Sequence, residues 1–316
     1  RSADHTAGND VAVAAIVRGG RTIGNHLVEI GVAGFCFGVK RAVEETYALS
    51  SRKDKRIFTY GPVIHNEQVV SDLEKNGVFV EEDLEKLDKD SLVIIRAHGV
   101  GKRVYDFFEE KGIEYVDLTC PFVKKIHRIV SEESEKGAAI VIIGSSKHPE
   151  VEGIAGWCGD CRVFASREDL EKWVSTLENP EDSSICMVSQ TTSTESLWKS
   201  CGNFAKKQFT NLKIFDTICR ATEYRQSEAA ELSEICQAMV VVGDPKSSNT
   251  GRLAMICREH CDKVFLVDNA SELKAEGFSG VCNVGITAGA STPAWIIKEV
   301  NKTMSEIINV EAVQEE

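Results

Sequence analysis

One local pattern occurs three times in the chain and constrains its fold more tightly than anything else in the sequence. Gly34-Phe35-Cys36-Phe37-Gly38-Val39-Lys40-Arg41, Leu118-Thr119-Cys120-Pro121-Phe122-Val123-Lys124-Lys125 and Thr217-Ile218-Cys219-Arg220-Ala221-Thr222-Glu223-Tyr224-Arg225 are the three copies. Each runs from an apolar strand through a cysteine into a helix with a basic residue in its first turns. The cysteines stand 84 and 99 residues apart, each interval about the size of one small βα domain. Pro121 suits a first helical position, where its missing N–H costs nothing. The simplest fold the repeat permits is three similar α/β units, each offering one cysteine at a strand-to-helix junction.

The rest of the chain agrees with that reading. Val28–Phe35, Arg56–Tyr60, Leu92–Ile95, Ile113–Leu118, Ala139–Ile143, Ile185–Val188, Leu212–Phe215, Ala238–Val242, Val264–Val267 and Val281–Ile286 read as short strands. Gly38–Leu49 reads as a helix with Val39, Val43 and Tyr47 on one face, and helical stretches fill most gaps. Such alternation calls for parallel sheets, because parallel neighbours need a crossover between them. The predicted units are residues 37–119, 120–216 and 217–306, the last with an N-terminal strand at 28–36. Residues 307–316 read as a tail. Residues 1–27 also read as a tail, poorly ordered and without an assigned function. The cytoplasm is the expected location, or the plastid stroma if the N-terminal segment is a transit-peptide remnant.

Composition narrows the function classes. The chain has 316 residues, a formal net charge of −12 and 42 % hydrophobic residues. An acidic chain lacks the basic face that nucleic acids require. No apolar run approaches the roughly 18 residues of a membrane span, and the seven residues Val11–Val17 are neither a span nor a secretory signal. Eleven cysteines, an odd number in a chain too large for a disulfide scaffold, read as buried, metal-bound or catalytic.

A cysteine just before a helix meets the positive end of the helix dipole and free backbone N–H groups, both of which favour the thiolate. In open α/β sheets that junction lies at the carboxyl ends of the strands, where ligands bind. A pseudo-threefold arrangement would converge Cys36, Cys120 and Cys219 on one point. Three thiolates suit a soft metal centre, most naturally an iron–sulfur cluster at the centre of the three units. Iron–sulfur clusters usually take four cysteines, so a cubane held by three leaves one iron open to substrate. Burial in a core is the commoner fate of any single cysteine; the threefold recurrence is what favours the cluster. Cys158 and Cys161 form a C-x-x-C, and Cys257, His260 and Cys261 have helical spacing, but neither group has a partner cluster nearby and both read as structural. Cys186, Cys201, Cys236 and Cys282 read as packing residues.

Three histidines follow strand-like runs: His65 in Gly61-Pro62-Val63-Ile64-His65-Asn66, His98 in Ile95-Arg96-Ala97-His98-Gly99, and His148 before Pro149-Glu150. Loops after strands are where α/β proteins place their chemistry, although one such histidine alone is more often structural. His127 lies mid-helix and reads as a surface or packing residue. Ser247, Ser248 and Asn249 follow a strand and a turn at a helix start, where hydroxyls, N–H groups and the dipole bind phosphate; plain N-capping is the competing reading. Ser291, in Gly285–Pro293, occupies a second such turn. Neither turn is a Walker loop or a dinucleotide fingerprint. Glu150 is the candidate acid, since a carboxyl group held beside an anion and a cluster has a raised pKa and can deliver protons. Glu152 is the alternative.

Together these segments resemble one family, the 4-hydroxy-3-methylbut-2-enyl diphosphate reductases, also called IspH or LytB. The resemblance rests on AGFCFGVKRAVE (33–44), GPVIHN (61–66), AHGV (97–100), DLTCPFVKKIH (117–127), HPEVEG (148–153), SQTT (189–192), TICRAT (217–222), SSNTGRL (247–253) and GITAGASTP (285–293). It covers about residues 28–302. It implies three α/β units around an oxygen-sensitive 4Fe–4S cluster, with Cys36, Cys120 and Cys219 on three irons and the fourth iron left for the substrate's hydroxyl. His65, His98, Ser247, Ser248, Asn249 and Ser291 would grip the diphosphate. His148 and Thr191 would lie near the hydroxyl end, and Glu150 would donate the proton. The implied reaction is two-electron reductive dehydroxylation of 4-hydroxy-3-methylbut-2-enyl diphosphate to isopentenyl and dimethylallyl diphosphate, the last step of the non-mevalonate (methylerythritol phosphate) pathway. A ferredoxin- or flavodoxin-type donor would supply the electrons, with no nucleic acid or membrane partner.

Two rival functions keep the same cysteines. A three-cysteine 4Fe–4S enzyme of quinolinate-synthase type would use the open iron as a Lewis acid without net reduction. A non-enzymatic iron–sulfur sensor is disfavoured by the absence of a basic stripe. A structural zinc protein is a third alternative and would be colourless.

Overall fold

A computed structural model describes residues 26–29, 33–281 and 283–314. The strands are β1 (His26–Glu29), β2 (Arg56–Tyr60), β3 (Val78–Glu81), β4 (Ser91–Ile95), β5 (Glu114–Asp117), β6 (Ala139–Ile143), β7 (Cys161–Phe164), β8 (Ser184–Ser189), β9 (Asn211–Ile214), β10 (Ala238–Val242), β11 (Lys263–Val267) and β12 (Asn283–Ala288). The helices are α1 (Phe37–Leu49), α2 (Glu67–Lys75), α3 (Lys102–Lys111), α4 (Pro121–Glu135), α5 (Pro149–Ala155), α6 (Arg167–Val174), α7 (Glu195–Gln208), α8 (Arg220–Ile235), α9 (Ser248–His260) and α10 (Ala294–Gln314).

The strands form three four-stranded sheets with orders β3-β2-β4-β5, β7-β6-β8-β9 and β11-β10-β12-β1. Every pairing is parallel. The three orders are one order: in each sheet the second strand is an edge, the first and third are central, and the fourth is the other edge. In the third sheet the fourth place is taken by β1, which pairs His26↔Asn283 through Glu29↔Ile286 with β12. The fold is therefore α/β, with three like-built parallel sheets.

Central strands covered on both faces read as unbroken apolar runs. Leu92–Ile95 and Ala238–Val242 are fully buried throughout. Each buried Val, Leu or Ile side chain contributes about 1.5–3 kcal/mol, so these cores fix the sheets and aim the loops that leave their carboxyl ends.

Boundaries shift in three places. The described part of β1 is His26–Glu29, residues 30–32 of the strand read at 28–35 lie outside the described residues, and Ala33–Phe35 form the loop into Cys36. The stretch read as a tail at 1–27 lies outside the described residues except for His26 and Leu27, which begin β1. The C-terminal stretch read as a tail is helical to Gln314, and Ile308 is buried in the third unit's core. Among the described residues no helix is long and apolar enough to cross a membrane.

Candidate active site

Nine loops, three from each unit, line one cavity of about 110 Å³. They leave the carboxyl ends of the first, third and fourth strands of every sheet. All twelve candidate residues lie on this lining: Cys36, Cys120, Cys219, His65, His98, His148, Glu150, Thr191, Ser247, Ser248, Asn249 and Ser291.

The fourth strands deliver the cysteines. Cys36, Cys120 and Cys219 are the N-cap residues of α1, α4 and α8, and none uses its side chain to cap. The helices start on backbone bonds instead, from Lys40 N to Cys36 O at 2.8 Å, Lys124 N to Cys120 O at 2.9 Å and Glu223 N to Cys219 O at 3.0 Å. Each cysteine N–H in turn donates to the carbonyl of the adjacent third-strand loop: Cys36 to Ala290 at 3.1 Å, Cys120 to Ala97 at 3.0 Å and Cys219 to Thr191 at 3.0 Å. Three sulfurs are thus left with no structural task while their backbones are held alike. Gly38 keeps two of the units close, since a Cβ there would lie 2.5 Å from the Cys120 sulfur.

Helix-start N–H groups were expected to favour the thiolates. They act in that direction at Cys120, through Phe122 and Val123, but burial is the larger effect and pushes the thiol up to about 11. Burial raises Cys219 as well. Three thiolates side by side in this setting need a cationic partner, and a soft metal centre is one that thiolates bind by losing their protons.

The first strands deliver His65, His148 with Glu150, and Ser247-Ser248-Asn249. Asn66 caps α2 by accepting from Val69 N at 3.0 Å, which fixes the turn that carries His65. His148 caps α5, its Nδ1 accepting from Glu150 N at 3.1 Å. Ser247 caps α9. The third strands deliver His98, Thr191 and Ser291, whose Oγ lies 3.1 Å from that of Ser247.

The three imidazoles meet, with ring centroids 4.9, 5.4 and 5.8 Å apart and ring nitrogens within 4.8 Å of one another. A divalent cation would need a lone pair from each ring. In neutral His148 the Nδ1 lone pair already accepts from Glu150, which leaves the proton on Nε2. That ring therefore presents a donor, as an anion requires. Burial, then neighbouring positive charge, lowers all three histidines: His98 well below its ordinary value, His148 to about 4, and His65 in the same direction.

Four buried polar atoms on this wall have no protein partner: His65 Nε2, His98 Nδ1, and both Nδ2 and Oδ1 of Asn249, which is only 4 % exposed. Buried polar groups are nearly always paired, so the cavity is built to be completed by a polar ligand. Glu150 is 3 % exposed, and its carboxylate accepts from Thr191 N at 2.6 Å and Thr191 Oγ1 at 2.7 Å. Burial raises its pKa, against the two hydrogen bonds. Glu152, the alternative acid, is exposed and lines no part of the cavity.

Sequence reasoning did not single out Thr192 and Gln190. Thr192 lines the cavity with its hydroxyl 2.9 Å from Ser248 Oγ. Fully buried Gln190 ties Thr192, Ser248 and Ser145 together. Their presence in SQTT beside Thr191 was the available signal. His127 is a packing residue, 4 % exposed and stacked on Trp157 at 5.4 Å. Cys186, Cys201, Cys236, Cys257 and Cys261 are buried in cores, Cys158 and Cys161 are half-buried, and Cys282 lies outside the described residues.

Comparison with known proteins agrees with this geometry. The model of the LytB protein family matches residues 28–305. The chain is 47 % identical over 272 residues to the 4-hydroxy-3-methylbut-2-enyl diphosphate reductase of Caldanaerobacter subterraneus subsp. tengcongensis, covering 85 % of this chain and 92 % of that one. It is 41 % identical over 268 residues to that of Clostridioides difficile, covering 85 % and 95 %. Among solved structures, the Plasmodium falciparum E-1-hydroxy-2-methyl-but-2-enyl-4-diphosphate reductase superposes with TM-score 0.81 at 27 % identity, covering 90 % of this chain and 88 % of that one. A second, described as the terminal enzyme of the non-mevalonate pathway, gives 0.64 at 35 % identity, covering 89 % and 99 %. The chain belongs to the LytB family, the 4-hydroxy-3-methylbut-2-enyl diphosphate reductases.

Proposed function

We propose that the cavity carries out the reductive dehydroxylation of 4-hydroxy-3-methylbut-2-enyl diphosphate. The substrate, two electrons and two protons give water and either isopentenyl or dimethylallyl diphosphate. The observation that carries this reading is the meeting, on one lining, of three unengaged thiols, one buried carboxyl group and a wall of unpaired polar atoms.

Cys36, Cys120 and Cys219 fit a 4Fe–4S cluster with one iron left open, because their sulfurs alone among the N-cap side chains of the cavity make no cap. When bound, the cluster supplies the electrons singly, from a ferredoxin- or flavodoxin-type donor, and a Lewis-acidic iron for the substrate's hydroxyl. His65, His98, Ser247, Ser248, Asn249 and Ser291 bind the diphosphate and so hold the allylic carbon chain in one orientation, which removes the entropic cost of finding it. Neutral imidazoles donate N–H groups to the phosphate oxygens, and the charge of the bound anion draws protons onto them. His148 and Thr191 face the hydroxyl end. Glu150, kept protonated more readily by burial, delivers a proton to the leaving oxygen, and the Thr191 hydroxyl holds its carboxyl group in place.

The test is anaerobic. The reconstituted protein, with reduced methyl viologen, should bleach the dye on addition of 4-hydroxy-3-methylbut-2-enyl diphosphate, and Cys36→Ser should not. An intact cluster, seen by its absorbance, without bleaching would reject the reductase and move a Lewis-acid dehydratase to the front.

A further inference from the structure

Two of the basic residues that recur after the cysteines have a task that the catalytic reading does not use. Arg41, five residues after Cys36 on α1, donates from Nη2 to Leu118 O at 2.9 Å and Thr119 O at 2.8 Å, the two carbonyls just before Cys120. Arg225, six residues after Cys219 on α8, donates from Nη2 to Gly34 O at 2.7 Å and from Nη1 to Ala288 O at 3.1 Å. Gly34 lies two residues before Cys36, and Ala288 ends the strand whose loop receives the Cys36 N–H through Ala290. Each arginine therefore joins the helix that starts at one cysteine to the loop that presents the next. The Cys219 loop is tied within its own sheet: Thr217 Oγ1 donates to Ser189 O at 2.8 Å and accepts from Ser189 N at 2.7 Å.

The two clamps differ in depth. Arg41 is half-buried and solvent screens its charge. Arg225 is 2 % exposed; burial lowers its pKa, against the opposing pull of the Cys36 thiol, the Glu228 carboxyl group and the Cys219 thiol. A guanidinium remains charged in proteins and its rigid fork can span two carbonyls.

We propose that Arg225 is a positioning residue for the metal centre: it fixes the Cys36 loop to the Cys219 helix and places a permanent positive charge beside two of the three cysteine ligands. This rests on the cluster reading above. Reducing a cluster adds one negative charge, so a buried neighbouring cation favours the reduced form, and net charge is one of the determinants of cluster potential. Arg225 thus makes the centre easier to reduce by an external donor.

The experiment compares Arg225→Gln, Arg225→Lys and Arg41→Gln as cluster-loaded proteins, by iron content per chain and by a potentiometric titration followed by electron paramagnetic resonance. Arg225→Gln should shift the reduction equilibrium toward the oxidised form by about tenfold, about 59 mV for one electron. Arg225→Lys should restore most of that shift, and Arg41→Gln should leave the potential near that of the parent chain. Iron loss in Arg225→Gln that Arg225→Lys restores also supports the proposal. Parent potential and parent iron content in Arg225→Gln would overturn it. So would iron loss that lysine does not restore, which would assign Arg225 to packing. A parent chain that takes up no iron would sink the cluster reading itself, a result legible without any variant.

Discussion

The cysteine shell and the polar shell of the cavity stand on the same threefold scaffold, yet only the first obeys the symmetry. Loops after the fourth strands give cysteine three times, with matching N-caps and matching bonds to the neighbouring loop. Loops after the first strands give His65, then His148 with Glu150, then Ser247-Ser248-Asn249. Those after the third strands give His98, then Thr191, then Ser291. On the proposed function, the difference follows from what each shell would face. A metal centre would present equivalent positions to three equivalent ligands. A substrate with a diphosphate at one end and a hydroxyl at the other would not, so a repeated scaffold has to carry different side chains at equivalent places.

The largest effect should come from the symmetric shell. Cys36→Ser, Cys120→Ser and Cys219→Ser should each reduce turnover to background and iron content with it, to a similar degree. A serine variant with full activity would break the equivalence at that junction. Next comes the single acid. Glu150→Gln should keep iron content and KM while kcat falls about 10²- to 10⁴-fold, the usual worth of a positioned proton donor. The parent kcat should fall as pH rises through the raised pKa of Glu150, because the donor must hold its proton; the residual activity of Glu150→Gln should lack that limb. A pH-independent parent kcat would remove Glu150 from the role.

Smaller effects sharpen the asymmetry of the polar shell. His65→Asn should raise KM by about 10- to 100-fold, since a hydrogen bond to a charged group is worth about 1.5–3 kcal/mol. Ser247→Ala, one neutral hydroxyl in the matching loop of the third unit, should raise KM only about 2- to 10-fold, from about 0.5–1.5 kcal/mol. Steady-state kinetics at fixed ionic strength would check both, and equal losses would mean that the two loops share the anion evenly. Thr191→Val should act on kcat rather than KM, by about 2- to 10-fold, through the lost 2.7 Å bond to Glu150.

Much of this organisation was legible in the chain, because parallel strands buried on both faces announce themselves as runs of Val and Ile. The two strands that were missed, Val78–Glu81 and Cys161–Phe164, are four-residue edges, partly exposed and mixed with charge. They are also the second strands of their sheets, whose loops do not reach the cavity. The twelve candidate residues could be picked out because they stand in loops that follow strand ends, and those loops line one cavity. Arg225 could not be read in the same way. On its own helix it looks like a solvated cation, and only the approach of Gly34 and Ala288 from 191 and 63 residues away buries it. Gln190 shows the same limit: its partners Ser145 and Ser248 lie 45 and 58 residues distant.

The strand β1 sets an order of events. It is the first of the described strands, but its pairing partner β12 is the last of them, and Cys36 donates its backbone N–H to the Ala290 carbonyl. Domains tend to fold as they leave the ribosome, N-terminal parts first. The first two sheets can close during synthesis, while the segment bearing Cys36 must wait for the final strand. The three thiols therefore come together only once β12 has been made, so a metal centre held by them would assemble late, after the strands of all three sheets.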